Sequence, residues 1–116
     1  MSPGFGMKNE NRLTKPEQYQ TVYQEGLSRA DRLVVLKARV NQLEMSRYGI
    51  SVSKKVGKAV VRNRVKRLLR EILKSVPFQP GWDIVIIARV PSALSEYSTL
   101  AKSVYGLLKQ AGIIAK

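Results

Sequence analysis

Hydrophobic residues are distributed along this chain in three patterns, each marking a different kind of element. Across residues 32–40, Val34, Leu36, Ala38 and Val40 alternate with Leu33, Val35, Lys37 and Arg39. This is the two-residue repeat of a strand with one apolar face and one that turns cationic. Residues 47–53 resume the alternation, with Tyr48, Ile50 and Val52 on one side and Gly49, Ser51 and Ser53 on the other. Because only the polar residues 41–46 separate the two strands, they are expected to pair as an antiparallel hairpin whose small and cationic residues line an open sheet surface. Residues 82–89 carry the unbroken run Ile84-Val85-Ile86-Ile87, which suits a strand covered on both faces.

Three further stretches follow helical spacing. Thr14 and Glu17 have the spacing of a capping box, Pro16 falls in the first turn and Gly26 is a stop signal, which predicts a helix over Pro16–Glu25 with Tyr19, Val22 and Tyr23 on one face. Val61, Val65, Leu68 and Ile72, widened by Leu69 and Leu73, form the apolar stripe of a second helix. Pro77, Pro80 and Gly81 mark a turn. Ser95 is then an expected N-cap for a last helix, in which Tyr97, Leu100, Ala101, Val104, Leu107, Leu108 and Ala111 make a broad apolar face closed by Gly112. The order α-β-β-α-β-α, with room for a short extra edge strand near Leu27–Ala30, is that of an α+β protein, a two-layer α/β sandwich. Residues 1–11 hold Pro3, Gly4 and Gly6 without periodicity and are expected to be a flexible tail, with Met7 an alternative start to Met1.

Composition narrows what such a fold can do. The 116 residues suffice for a single domain with one modest core. The net charge of +13 points to nucleic acid or an anionic membrane surface, and the longest apolar run, 84–88, is far too short to span a bilayer. There is no cysteine and no histidine, which removes disulfides, thiolate nucleophiles, the usual zinc ligands and the commonest general base. The eight acids, Glu10, Glu17, Glu25, Asp31, Glu44, Glu71, Asp83 and Glu96, are scattered along the chain, whereas a protein metallonuclease needs carboxylates gathered around its cations. Lacking a signal peptide and disulfides, the protein is expected in the cytoplasm.

Charge is concentrated in one place. Residues 51–74 hold nine of the 21 lysines and arginines and a single acid, Glu71. Lys66, Arg67 and Arg70 lie opposite the apolar stripe of the second helix, and Arg62 and Arg64 flank it. An ordinary solvated helix face intersperses Glu with Lys; here the cations repel one another almost unrelieved, which calls for a polyanionic partner.

The run Ser53-Lys54-Lys55-Val56-Gly57-Lys58-Ala59-Val60-Val61-Arg62-Asn63-Arg64-Val65-Lys66-Arg67-Leu68-Leu69-Arg70-Glu71 resembles the signature of the bacterial ribonuclease P protein component. The likeness extends to Arg12-Leu13, the first helix and Ile86-Ile87-Ala88-Arg89. It implies a mixed four-stranded sheet of the ribosomal protein S5 domain 2-like kind, with a left-handed β-α-β crossover through the basic helix. It also implies a subunit that joins a catalytic RNA in removing the 5′ leader of precursor tRNA, with magnesium held mainly by the RNA and no catalytic residue in the protein. No obligate protein partner and no membrane is implied.

Two binding surfaces follow. Lys54, Lys55, Lys58, Arg62, Asn63, Arg64 and Arg67 are candidates for the catalytic RNA: Gly57 lets the backbone turn into a helix N-terminus, arginines fork onto phosphates and lysines add point charges. Tyr19, Tyr23, Lys37, Arg39, Ser51, Lys66 and Arg70 are candidates for the leader, since rings stack on bases while cations neutralise phosphates. The resemblance places a leader cleft beside the matching aromatic and lysine positions, although Tyr19 and Tyr23 stand where phenylalanine is common and Lys37 where an aromatic is common. The plain alternative is that both tyrosines only pack their helix onto the sheet. At the level of function the alternatives are a small RNA-binding module, such as a ribosomal protein or RNA chaperone, with no role in cleavage, and a protein-only nuclease. A DNA-binding helix-turn-helix is disfavoured because a strand, not a helix, precedes the basic helix.

Overall fold

A computed structural model describes residues 12–114; the expected tail at 1–11 and its alternative start lie outside them. In chain order the elements are α1 (Pro16–Glu25), β1 (Leu27–Ala30), β2 (Val34–Val40), β3 (Arg47–Ser51), α2 (Ala59–Lys74), β4 (Trp82–Ala88) and α3 (Tyr97–Gln110). Short 3-10 turns at Lys54–Val56 and Val90–Leu94 precede α2 and α3. The edge strand β1 forms where it was expected.

The four strands lie in the order β1-β2-β4-β3, so the expected hairpin of β2 with β3 does not form. β2 pairs antiparallel with β4 (Leu36 opposite Ile86), and β3 pairs parallel with β4 (Ile50 opposite Ile86). The relative directions of β2 and β3 are as expected, but β4 is inserted between them. Burial explains this: Asp83, Ile84, Val85 and Ile86 are all buried, and only a central strand covered on both faces removes such a run from water. The connection 41–46 therefore spans two strand spacings, roughly 10 Å. It is held by Asn41, whose Nδ2 donates to Met45 O at 3.2 Å and to Asp83 Oδ1 at 2.8 Å. β3-α2-β4 is the crossover unit that places the basic helix.

On one sheet face Val34, Leu36, Ala38, Ile84 and Ile86 pack against Val65, Leu69, Ile72 and Leu73 of α2 and Leu100, Val104 and Leu108 of α3. Sheet and helix pair are the two layers. α1 lies across the other face, where Val22 meets Val85 and Leu13. The alternation in β2 stops at Val40, which is 54 % exposed. Leu33 precedes the strand and turns into the main core instead of opposing it.

Two helix caps differ from expectation by one residue. α1 is capped from Lys15, and the reaching side chain is Gln18: its Oε1 accepts from Thr14 N at 2.8 Å and Lys15 N at 2.9 Å. With Thr14 outside the helix, Gln18 and not Glu17 occupies the third helical position that can reach back. The N-cap position of α3 is Glu96, which makes no side-chain cap bond; Ser95 is buried before it and its carbonyl receives an arginine.

Candidate nucleic-acid interface

The outer edge of β3 is where helix, strand and leading segment converge. Arg12 forms a parallel bridge with Tyr48, and Leu13 N donates to Tyr48 O at 2.9 Å, so the segment entering α1 runs along that edge. α1 then crosses the sheet face and lays Tyr19 over Gly49. A side chain at Gly49 would collide with the hydroxyl end of the Tyr19 ring, so the glycine is what lets the ring approach the strand.

Between this ring and α2 opens a cleft of about 190 Å3, lined by Arg12, Leu13, Tyr19, Tyr48, Gly49, Ile50, Lys66 and Arg70. Three cations and two aromatic rings converge on it, with no acid in its lining. Burial pushes the Tyr19 phenol up, and it does the same to Tyr48, opposed there by the charges of Arg12 and Arg70. Both phenols therefore stay neutral donors at physiological pH. Tyr48 is only 9 % exposed and stacks on Phe78, with centroids 6.1 Å apart and planes at 23°.

Of the residues expected to serve the leader, Tyr19, Lys66 and Arg70 line this cleft. Tyr23 stands edge-on to Tyr19, with centroids 6.5 Å apart, and is 39 % exposed. It extends the aromatic surface without entering the cleft. Ser51 ends β3 half-buried, beside the lining. Lys37 and Arg39 sit on β2, separated from β3 by β4, and Arg39 Nε lies 3.4 Å from the Glu25 carboxylate; they flank the far side of α1. Arg12, Leu13, Tyr48, Gly49 and Ile50 were missed. Alternation assigned Tyr48 and Ile50 to the core, which is correct for one side of each residue, and nothing local shows that Arg12 folds onto a strand 36 residues further on.

The second surface surrounds the start of α2. Gly57 takes φ 157°, a conformation open only to glycine together with its ψ of −171°, and this turns the Lys54–Val56 segment into the helix. Lys54, Lys55, Lys58, Asn63 and Arg67 are exposed. Arg62 is half-buried and its Nε donates to Gly57 O at 3.1 Å, bracing the turn that displays the lysines. Arg64 is placed differently: its Nη2 donates to Ser95 O at 2.7 Å and its Nη1 to Ala93 O at 3.4 Å, tying α2 to the turn before α3. None of the α2 cations has an acidic partner among the described residues, where the two ion pairs are Arg39–Glu25 and Arg47–Asp83.

Among the described residues Asp83 is the one buried acid, 2 % exposed, and it accepts from Arg47 Nε at 2.8 Å and Nη2 at 2.7 Å. Among the described residues no three acids gather in a way that could hold a metal ion, and no helix is long and apolar enough to cross a membrane.

A compact, strongly basic α/β domain with an unpaired cationic helix start and an aromatic, cationic cleft is an RNA-binding protein in form. The family described as Ribonuclease P matches residues 7–112, and the chain belongs to it: it is a protein subunit of the tRNA 5′-processing endoribonuclease, partnered with the ribonuclease P RNA. It is 47 % identical over 110 residues to the ribonuclease P protein component of Dehalococcoides mccartyi, covering 95 % of this chain and 92 % of that one. A Staphylococcus aureus RNase P protein mutant superimposes with a TM-score of 0.86 at 34 % identity, over 93 % of both chains. The RNase P protein from Thermotoga maritima does so at 0.78 and 32 %, over 85 % of this chain and 96 % of that one.

Proposed function

We propose that this subunit grips the catalytic RNA through the start of α2 and receives the single-stranded 5′ leader of precursor tRNA in the cleft at the β3 edge, while the RNA performs the cleavage. The observation that carries this is the lining of the cleft: Tyr19 offers a ring for a base, and Arg12, Lys66 and Arg70 neutralise the phosphates on either side. A hydrolytic centre of the protein's own is not supported, since phosphodiester cleavage needs an activated water and clustered charge and the described acids do not converge. The magnesium ions are on this reading ligands of the RNA, and the side chains here position and screen. The work is cytoplasmic, where precursor tRNA is made.

The test is reconstitution. Adding the chain to its cognate RNA at low salt should raise cleavage of precursor tRNA, and the chain shown to be free of RNA should cleave nothing. RNA binding without any rise in cleavage would instead make it a plain binding module, and cleavage by the protein alone would sink the division of labour.

A further inference from the structure

Arg64 holds the carbonyls of Ala93 and Ser95, the two residues either side of Leu94. The backbone of Leu94 is thereby pinned, yet its side chain is 92 % exposed. Val60 lies one helical turn before Arg64, on the same face of α2. It is 81 % exposed. A lone exposed aliphatic needs no explanation. Two of them near a half-buried arginine, on a helix whose cations have no acidic partner among the described residues, do.

We propose that Leu94 and Val60, presented by Arg64, form an apolar platform on which the catalytic RNA lays an unpaired base, its phosphates running over Lys54, Lys58 and Arg62. Charge selects this occupant. A second copy of the chain would bring +13 against +13, whereas an unpaired nucleotide offers an apolar face and an anion together. Charge also sets the direction of approach: beyond Leu94 toward α3 the rim carries Glu96 beside Arg32 and has little attraction, while toward α2 it is wholly cationic. Arg64, which resembles a phosphate ligand in sequence, is by this assignment a positioning residue for the platform.

This rests on the proposed RNA contact at the start of α2, and the experiment separates the two. The full chain carrying Leu94→Ala and Val60→Ala is titrated with its cognate RNA across a salt series, beside an Arg62→Ala chain. Affinity of the double variant should fall on the order of fivefold to tenfold at every salt concentration, with unchanged salt slope and melting temperature. Affinity within twofold of the parent, with Arg62→Ala weakened, overturns the platform alone. If Arg62→Ala also binds normally, the RNA contact at α2 falls with it. Self-association of the parent abolished in the double variant, or parent-only binding to phosphatidylglycerol vesicles, with RNA affinity intact in either case, would identify a second copy or a membrane as the true occupant.

Discussion

The start of α2 and the cleft at the β3 edge are both cationic, but they are built in opposite ways. Lys54, Lys55, Lys58 and Arg67 stand in water on a convex surface, where attraction for a polyanion is strong, salt-dependent and tolerant of geometry. In the cleft the cations are arranged around Tyr19 and Tyr48, whose rings are fixed by Gly49 beneath one and Phe78 beneath the other. On the function proposed above, the convex surface would add affinity by the number of phosphates it neutralises, and the concave one would discriminate by shape. Removing side chains from the first should change binding without changing the fold, and removing them from the second should do both.

The sharpest break between the regions is Tyr48→Ala against a Lys54→Ala and Lys55→Ala double variant. Truncating a nearly buried ring stacked on Phe78 should lower stability by about 3 to 5 kcal/mol, read as a large fall in melting temperature. The lysine variant should melt as the parent does and bind the catalytic RNA more weakly, with a salt slope shallower by about 0.7 to 0.9 for each phosphate it no longer neutralises. A lysine variant that melts early would mean that this surface is structural after all.

Tyr19→Ala tests the cleft more directly. A base stacked on the ring should make its loss worth about 1 to 3 kcal/mol for precursor tRNA bearing a leader, with little change for mature tRNA, which has no strand to place there. Equal losses for both RNAs, together with a melting temperature as depressed as that of Tyr48→Ala, would make Tyr19 a packing residue only. The half-buried setting of Tyr19, against the deep burial of Tyr48, is the reason to expect the selective outcome.

What could be read from the sequence divides along the same line. α1 spans the residues its pattern indicated, β1 appears where room was left for it, and the apolar stripe of α2 is buried as its spacing required, because these depend on neighbours three or four residues away. The sheet order was not legible: β2 and β3 look like a hairpin locally, and only the need to bury both faces of β4 separates them. The convex surface was legible because charge density is itself a sequence property. Half of the cleft was not, since Arg12 meets Tyr48, and Tyr19 meets Gly49, only through the tertiary fold.

Arg62 and Arg64, two residues apart, carry the comparison into a single motif. Arg64→Ala strips two backbone carbonyls of their donor, one of them at the buried Ser95, and should destabilise by about 1 to 3 kcal/mol. Arg62→Ala leaves only the Gly57 carbonyl without its donor, and water can replace that bond at the half-buried edge. Its main effect should be a shallower salt slope for RNA binding at nearly unchanged melting temperature. Matching melting temperatures for the two variants would show that Arg64 is no strut.

The smallest effect is expected away from both surfaces, at the turn between β1 and β2. Asp31 accepts from Leu33 N at 2.9 Å, Val34 N at 3.0 Å and Ser103 Oγ at 2.6 Å. Partial burial pushes its carboxyl up, but these three donors and the nearby Arg89 outweigh it and bring it below the ordinary 3.8. A depressed folded value stabilises fully above the unfolded one and is lost as pH falls through the folded one, so this contribution is intact at neutral pH and disappears in acid below about 3.8. Ser103→Ala should cost about 1 kcal/mol at pH 7, and the gap from the parent should close as pH is lowered through that window. A melting curve for Ser103→Ala that runs parallel to the parent from pH 7 to pH 2 would show that the hydroxyl contributes nothing through the charge of Asp31, leaving its link from α3 to the turn as packing alone.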